Sequence, residues 1–572
     1  MVTATTPEPK MTSAGHHARL PETLTLIGLS LWAAAVRLFA LARPQRMVWG
    51  DEPFYLWLGR NWLTGQGYSF TGYSDVHHTP MYPLLSGLFY LLTRNMEVAS
   101  DICYMLFGVL LVIPIYLLTK EMYGRQAAVV SAGLVAIYPA ISTAPLFWGT
   151  LTEPPYYFFV YTGLLMVLLA MRRERWWAFL LAGMFFGLAY LTRPEAVAYV
   201  AVGGGVIALV RLFEKRLFRR AIWIGFLIYL IGFLLFFLPY VYYVYRETGS
   251  WMVSEKAGVT FVTCIGLSES NTVAFDQATW GLDSTGLEVF FFSRESYHVN
   301  MMDVIRAYPS EFIQLVLRNI RRFISGLLSV ALFTHYLLPL MGVAFFKTAW
   351  DKRRLKGELL LLASLTPVLV FLLFFIQDRY IATLLPTLVI WLGLGTYELG
   401  VWLRDTVQNL LGSRESPEGR QRQWLSVLTA IPAVVLVLSL ALLQFRVIRQ
   451  YTSTGSFRPE HKAVGLWLKD HIPPDAVIMS RYPAIAFYAD SRWEPTPNAT
   501  YAQVLRYAQA NGVNYFVVDE LEARDLRPQF LPLLRVDNPP AELELVHVAE
   551  SSGGKLVVFR LRSPVGETQQ QR

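Results

Sequence analysis

Residues 222–241, IWIGFLIYLIGFLLFFLPYV, form an unbroken apolar run without a charged side chain. A helix needs about 20 mostly apolar residues to cross the hydrocarbon core of a bilayer, so this stretch predicts a transmembrane helix. Ten more mostly apolar stretches predict spans near residues 24–42, 101–119, 127–147, 154–171, 177–191, 195–211, 326–346, 358–376, 381–402 and 425–444. The pattern indicates a polytopic α-helical membrane protein with about 11 transmembrane helices.

The composition of the whole chain agrees with this class. Hydrophobic residues make up 54% of the 572 residues and charged residues only 16%, whereas soluble chains carry roughly 25% charged residues. The 50 basic and 42 acidic residues give a formal charge of +8. The basic residues cluster between apolar stretches, which favours the positive-inside rule over nucleic-acid binding. The only two cysteines, Cys103 and Cys264, exclude a disulfide scaffold and a cysteine-based zinc site.

The charged loops predict the orientation of the chain in the membrane. Short basic segments alternate with the predicted spans, and we place them in the cytoplasm. They are KEMYGR (120–125), RRER (172–175), RLFEKRLFRR (211–220), KTAWDKRRLK (347–356) and the arginine-bearing stretch 404–422. The N-terminus is then inside and the C-terminus outside.

Two apolar stretches need a decision. Residues 80–93 are short for a span, at about 14 residues. Counting them as a twelfth span would move the N-terminus outside or place every basic loop outside, so we predict a helix on the outer membrane surface. Residues 24–42 resemble a secretory signal in ending on Ala40-Leu41-Ala42. The long preceding tail and Arg37 within the apolar run favour an uncleaved first span.

These decisions predict three regions. Residues 1–23 form a cytoplasmic tail, and residues 24–445 form a membrane domain with large outer loops at 43–100 and 242–325. Residues 450–572 alternate helix and strand patterns, which indicates a small outer α/β domain.

Near the end of the second loop, PSEFIQLVLRNIRRFI (309–324) predicts an amphipathic helix. It either lies in the membrane interface or packs under the loop.

Several charged or imidazole side chains fall at the outer ends of distant spans. They are Asp51 and Glu52, His77 and His78, Glu153, Arg193 and Glu195, and Asp378 and Arg379 with the adjacent Tyr380. Each alone has a structural explanation, such as helix capping by Asp51 or snorkelling by the arginines. Charges at a membrane edge are costly, however. All of these residues fall on the same side of the membrane, which predicts a functional site.

This mixture of charges suits a reaction of an anionic lipid. Arginine presents planar, bidentate donors to phosphate, and a carboxylate can serve as a general base on a hydroxyl. A lipid phosphate is already a good leaving group, which needs charge neutralisation more than a proton.

The motifs that carry these residues resemble those of the GT-C glycosyltransferases, in the branch of protein O-mannosyltransferases and lipid A aminoarabinose transferases. The resemblance spans about residues 20–445 and rests on Asp51-Glu52, HHTPMYPLL, LTEPP, LTRPEA and DRYIATLLP, in that order. It implies sugar transfer, with inversion, from a polyprenyl-phosphate carrier at the outer face of the inner membrane.

The resemblance also implies roles for individual residues. Asp51 matches the catalytic aspartate of the family, and Glu52 matches a second acidic residue of the mannosyltransferase branch. The family's Pro-Pro-Leu segment maps onto residues 78–81, where Thr79 replaces the first proline and His78 stands where lysine is common. The arginine near the lipid phosphate maps to Arg379 and, less well, to Arg193.

Some relatives bind a metal near these positions. His77, His78 and Glu153 have ligating side chains, but spacing alone does not bring them together, so no metal and no required cofactor are predicted.

The resulting hypothesis is an inverting glycosyltransferase with a polyprenyl-phosphate-linked sugar as donor. The acceptor is a lipid, glycan or protein, and no nucleic acid is involved. One alternative is a membrane transporter or lipid flippase, but the chain shows no internal repeat and its charges lie at one face rather than the bilayer midplane. The sequence is also compatible with a ligase that moves whole glycans and with a non-catalytic scaffold.

Overall fold

The computed structural model describes most of the chain. The described residues are 20–42, 46–70, 73–255, 260–261, 264, 272–298, 301–347, 349–410, 420–453, 458–551 and 553–562. Residues 1–19 of the predicted tail and residues 411–419 of the last basic stretch lie outside them.

The membrane half consists mainly of helices within the described residues. Its helices are α1 (Leu20–Leu41), α2 (Glu52–Leu63), α3 (Met81–Thr93), α4 (Met96–Leu110), α5 (Val112–Tyr123), α6 (Arg125–Ile137), α7 (Pro139–Ser142), α8 (Glu153–Arg173), α9 (Trp176–Thr192), α10 (Val197–Phe213), α11 (Arg220–Thr248), α12 (Thr272–Trp280), α13 (Met301–Ala307), α14 (Pro309–Leu327), α15 (Leu338–Phe346), α16 (Lys352–Ala363), α17 (Asp378–Ile381), α18 (Leu385–Leu410) and α19 (Arg420–Thr452).

Within the described residues, 8 helical segments are long and apolar enough to cross a membrane. They are Pro21–Leu41, Met96–Tyr123, Glu153–Arg173, Pro194–Phe213, Arg220–Thr248, Lys352–Leu373, Asp378–Leu410 and Val427–Thr452. The other three predicted spans coincide with the shorter apolar helices α6, α9 and α15. The predicted class, a multi-pass helical membrane protein, is confirmed.

Two predicted spans differ from the observed helices because proline starts a new helix. The span predicted at 326–346 is split, since α14 ends at Leu327 and the chain turns before α15, which has Pro339 in its first turn. The span predicted at 127–147 bends at Tyr138, which is extended in front of Pro139. A residue before proline is disfavoured in the helical conformation, which accounts for this break.

Ion pairs join the basic loops at one end of the bundle. The pairs that link one loop to another are Arg172 with Glu121, Arg211 and Arg216 with Glu174, and Lys356 with Glu214. Of the polar residues singled out above, Glu153 and Arg193 lie at the ends of α8 and α9 opposite these loops.

The stretch predicted to lie on the outer surface forms α3, which packs tightly against α2. Gly59 and Gly87 face each other, and a Cβ on Gly59 would lie 2.2 Å from the carbonyl oxygen of Pro83. Larger residues at either glycine would force the two helices apart. The hairpin holds the loop before α2 in place.

The predicted amphipathic helix forms as α14. Its Asn319 side chain is buried and donates to the carbonyl oxygens of Leu372 and Phe374. Its apolar side chains Ile313, Leu317 and Ile324 are exposed. An anchored helix with an exposed apolar face agrees best with the interfacial interpretation.

Residues after 458 form the predicted α/β unit. It contains α20 (Pro459–His471), β1 (Val477–Ser480), α21 (Ala484–Tyr488), β2 (Arg492–Pro495), α22 (Tyr501–Ala510), β3 (Tyr515–Asp519), α23 (Glu520–Asp525), β4 (Leu543–Ser551) and β5 (Gly554–Leu561). The sheet order is β2-β1-β3-β5-β4. Strand β1 pairs in parallel with β2 and β3, and β5 pairs antiparallel with β3 and β4.

Strand β2 has no recognisable strand pattern in the sequence. Its four residues, Arg-Trp-Glu-Pro, show no apolar run and end on a proline, which is tolerated because β2 is an edge strand.

The α/β unit packs directly on the first outer loop. Phe54 and Trp57 of α2 share one apolar cluster with Trp493 and Phe487 of this unit. The backbone N–H of Val48 donates to the Tyr488 hydroxyl at 2.7 Å. The loop that carries Asp51 is therefore held between the membrane helices and the C-terminal unit.

Candidate active site

Asp51 lies immediately before α2, at a close crossing of two outer loops. Gly50 has φ +64°, and a Cβ there would lie 2.8 Å from the carbonyl oxygen of Gly149. The backbone N–H of Glu52 donates to the same Gly149 oxygen at 2.9 Å. The Asp51 side chain makes no cap hydrogen bond to α2 and is 34% exposed. The capping explanation for Asp51 is therefore wrong, and the crossing holds its carboxylate beside the start of α8.

Arg379 lies opposite Asp51, at the start of α17. Its Nη1 atom is 3.7 Å from Oδ2 of Asp51, and its Nη2 donates to the Tyr380 hydroxyl at 3.1 Å. The Tyr380 ring stacks on Phe371 with a centroid distance of 4.1 Å. Stacking and hydrogen bonding hold the guanidinium near an accessible carboxylate.

A second arginine, Arg193, meets the same tyrosine. The guanidinium carbons of Arg193 and Arg379 lie 5.2 and 5.0 Å from the Tyr380 ring centroid. Arg193 also donates to Glu153 at 3.0 Å and to Glu195. Burial disfavours its charge, but Glu195 and Glu153 outweigh burial and raise the pKa of Arg193 well above its ordinary value. Arg193 therefore stays charged.

Glu153 is fully buried at the start of α8. It accepts hydrogen bonds from the Thr150 hydroxyl at 2.9 Å and from Arg193. Its position fits a residue that orients Arg193 rather than one that faces solvent.

Tyr55, one turn into α2, was not recognised in the sequence. Burial raises the pKa of its hydroxyl, and the nearby charges of Asp51 and Glu153 raise it further, while Arg379 and Arg193 lower it. Four charged groups from distant segments of the chain therefore act on this one hydroxyl. We call the set of Asp51, Tyr55, Glu153, Arg193, Arg379 and Tyr380 the tyrosine–arginine cluster. The signal for Tyr55 was its spacing of four residues from Asp51, which places both on one side of a helix.

Glu52 belongs to a different set. It is fully buried. It accepts hydrogen bonds from the two terminal guanidinium nitrogens of Arg46, at 2.6 and 3.1 Å, and from the Ser100 hydroxyl. Arg46 also pairs with Asp101 at 3.0 Å. Burial raises the pKa of Glu52, and Arg46 opposes this rise. We call Arg46, Glu52, Ser100 and Asp101 the Arg46 cluster; the structure places Glu52 there, apart from Arg379.

The two histidines point to different partners. The His78 ring Nδ1 lies 3.1 Å from Asp75, and its edge faces the Tyr55 ring at a centroid distance of 5.0 Å. Burial favours the protonated Asp75 carboxyl, but His78 outweighs burial and lowers the pKa of Asp75. The His77 ring Nε2 lies 3.0 Å from Glu255. His78 therefore supports the tyrosine–arginine cluster, whereas His77 secures the second outer loop.

The structure does not join His77, His78 and Glu153 into one ligand set. Each has a different polar partner, as described above. Among the described residues, no group of three or more His, Cys, Asp and Glu side chains is arranged to hold a metal ion.

Asp378 faces a cleft next to Arg379. It accepts from the Tyr451 hydroxyl at 3.0 Å, and Tyr451 in turn accepts from Trp148. The cleft has a volume of about 340 Å³ and includes Arg322 and Gln450 in its wall. A polar opening therefore reaches the membrane-edge helix α17 from the side of α14 and α19.

Comparisons with known proteins agree with this architecture. The family model of dolichyl-phosphate-mannose-protein mannosyltransferases matches residues 77–243. The fold matches the archaeal oligosaccharyltransferase AglB from Archaeoglobus fulgidus, solved with an inhibitory peptide and a dolichol-phosphate, with a TM-score of 0.57. That match has 14% identity and covers 93% of this chain and 73% of AglB. The chain therefore shares the fold of this oligosaccharyltransferase.

A second solved structure matches this chain over nearly the whole length of both proteins. ArnT from Cupriavidus metallidurans bound to undecaprenyl phosphate matches with a TM-score of 0.51 and 13% identity, over 94% of this chain and 98% of that one. No curated protein sequence matches the chain. The resemblance predicted from the motifs is confirmed by the family-model match over residues 77–243 and by the shared fold.

Proposed function

We propose that this protein is an inverting glycosyltransferase of the GT-C type that uses a polyprenyl-phosphate-linked sugar. The observation that carries the proposal is the exposed Asp51 carboxylate, 3.7 Å from a guanidinium that rests on the same tyrosine as a second, buried arginine. A base beside fixed cations is what displacement of a lipid phosphate requires. The lipid phosphates in the solved AglB and ArnT structures support this class of donor.

In the proposed reaction, Asp51 takes the proton of an acceptor hydroxyl. The acceptor oxygen then bonds to the anomeric carbon from the face opposite the phosphate, and the bond between that carbon and the phosphate oxygen breaks. Its exposure lets Asp51 meet an acceptor, which is a lipid, glycan or protein.

The arginines act on the leaving group. A phosphodiester becomes a monoester with more negative charge, so a fixed cation stabilises the transition state more than the ground state. Arg379 faces Asp51 and is the first phosphate ligand in this proposal. Arg193, held by Glu153 and Glu195, supplies the second positive charge, and Tyr380 keeps both in position.

Sugar transfer and lipid transport differ in one measurable event, which is cleavage of the glycosidic bond. Proteoliposomes carrying the full chain and undecaprenyl-phosphate sugars, with a membrane extract as acceptor source, should release free undecaprenyl phosphate. A flippase would move the donor between leaflets with the bond intact. Movement without cleavage would refute the proposal. A glycan ligase would share the chemistry and differ in its preference for larger donors.

We further propose that the site and the C-terminal unit face the periplasm, with the basic loops in the cytoplasm. Both native cysteines are buried, so single introduced cysteines can report sidedness. Glu544→Cys lies on the exposed β4 strand and should react with an impermeant thiol reagent added to intact cells. Lys215→Cys, in an exposed position of a basic loop, should react only after lysis. The reverse labelling would invert the proposed orientation.

A further inference from the structure

A basic recess lies at the end of the bundle opposite the tyrosine–arginine cluster. It has a volume of about 320 Å³ and is formed by the C-terminal ends of α8 and α10 with the first turns of α16. Its basic lining residues are Arg172, Arg211, Arg216, Lys352, Arg353 and Lys356.

The acidic residues of the recess do not balance these charges. Glu174 and Glu214 line it, and Glu121 pairs with Arg172 and Arg353 from outside the lining, so six cations face three carboxylates, an excess of three positive charges. Glu174 is shared between Arg211 and Arg216, and Glu214 between Arg211 and Lys356. The carboxylates therefore organise the cations without neutralising them.

Three guanidinium groups of the recess retain unused donors. The Nε atoms of Arg172, Arg211 and Arg216 are buried and have no hydrogen-bond acceptor within the part of the chain that the structure describes. A buried donor without a partner is costly, so such groups call for an anion or water. The planar guanidinium is suited to binding two oxygens of a phosphate.

Exposed apolar side chains stand next to the recess. Phe213 is 78% exposed, Trp176 63% and Leu355 52%. Each is within two positions of a lining residue in the sequence. A basic recess bordered by apolar side chains at the end of membrane helices matches a lipid with an anionic headgroup.

We propose that this recess binds a phosphate-bearing anion, the headgroup of an anionic phospholipid in the leaflet that contacts the basic loops. The site is separate from the proposed transferase centre and does not depend on that function. Its chemistry is shared by free phosphate esters, which the experiment below separates from lipid.

Native mass spectrometry of the purified full chain tests the proposal. Dioleoylphosphatidylglycerol, dioleoylphosphatidylcholine and glycerol 3-phosphate are titrated separately. The double variant Lys352→Gln/Arg353→Gln removes two exposed cations of the recess. The matched control Arg219→Gln/Arg220→Gln removes two exposed cations at the same end of the bundle but outside the recess.

We expect phosphatidylglycerol to bind the wild type and the control equally, and the recess variant about tenfold more weakly. A charge-assisted hydrogen bond is worth roughly this factor. Phosphatidylcholine should bind the wild type, the control and the recess variant equally. If glycerol 3-phosphate alone shows the tenfold difference, a phosphate site is supported with a soluble ligand as its source. If neither anion distinguishes the recess variant from the control, the proposal is overturned.

Discussion

Asp51 and Glu52 are neighbours in the chain, yet they belong to regions with opposite character. Asp51, in the tyrosine–arginine cluster, is one-third exposed and its nearest guanidinium nitrogen lies at 3.7 Å. Glu52, in the Arg46 cluster, is fully buried and accepts short hydrogen bonds from Arg46 and Ser100. A loosely paired, accessible carboxylate can exchange a proton with a substrate, whereas one with its oxygens fully engaged cannot.

The difference shows that charge alone does not identify a catalytic carboxylate. In the Arg46 cluster, cation and carboxylates satisfy each other and stabilise the loop. In the tyrosine–arginine cluster, the arginines rest on an aromatic ring and leave donors for another anion. The variants below test this division of roles.

The largest effect is expected for Asp51→Asn. The amide keeps the shape and removes the basic oxygen, and general-base catalysis contributes about 10²–10⁴-fold. Turnover should fall by that factor while donor binding is largely kept, as measured by initial rates and by lipid titration. Asp490→Asn removes an exposed outer carboxylate that pairs with Arg60 and serves as a matched control with near-normal rates. Normal turnover of Asp51→Asn would show that another residue acts as the base.

Arg379 should follow in size. Arg379→Ala removes the cation that faces Asp51, and loss of one donor to a developing charge costs about 10²–10³-fold in rate. Arg379→Lys keeps the charge without the planar fork and should fall between alanine and wild type. Arg60→Ala, an arginine at the same face that pairs with Asp490, is the control. Normal donor affinity and rate in both Arg379 variants would transfer the phosphate site to Arg193 and His78.

Glu52→Gln should change stability rather than chemistry. It leaves Arg46 with Asp101 as its remaining carboxylate, and losing a charged hydrogen bond in a buried position costs about 1–3 kcal/mol. We expect a lower Tm in detergent with a nearly unchanged rate per folded molecule. A loss of rate as large as that of Asp51→Asn, at an unchanged Tm, would assign the proton transfer to Glu52.

The effect most restricted in its conditions concerns Glu494, a carboxylate that is hydrogen-bonded to a tyrosine instead of an arginine. Burial raises its pKa to about 7, although the Tyr507 hydroxyl donates to it at 2.9 Å. Because the folded state holds the proton more tightly than the unfolded chain, stability from this group is present below about pH 4.5 and is lost as pH rises to about 7. Glu494→Gln mimics the protonated form and removes this dependence.

The Tm of wild type and Glu494→Gln should therefore agree near pH 4.5 and separate by pH 8. The variant should then be the more stable, by up to about 3 kcal/mol. Glu544→Gln, which is exposed on β4, should not change the pH profile. Parallel profiles for wild type and Glu494→Gln would contradict the prediction.

Most of the spans and of the C-terminal strands could be predicted because hydrophobic runs and alternation are local in the sequence. The positions of Asp51, Arg193 and Arg379 at span ends were equally local. The meeting of these residues around Tyr380 could not be predicted from local sequence. It depends on which helices are neighbours over more than 300 residues of chain.

The separation of Asp51 from Glu52 could not be predicted either. Consecutive residues at the start of a helix point about 100° apart, so one faces Arg379 while the other faces Arg46. Arg46 lies only six residues before Glu52, but nothing in the spacing distinguishes it from the other basic residues of the chain.

The apolar contact between the C-terminal unit and α2 limits how this protein can be rearranged. Phe54 and Trp57, on the helix that Asp51 precedes, are buried against Phe487 and Trp493. The outer unit therefore cannot be exchanged between proteins on its own. A chimera that takes this unit from a distant relative must also carry a compatible α2, because a mismatch there would displace the aspartate itself. Substitutions in α2 and in the outer unit should accordingly be inherited in pairs.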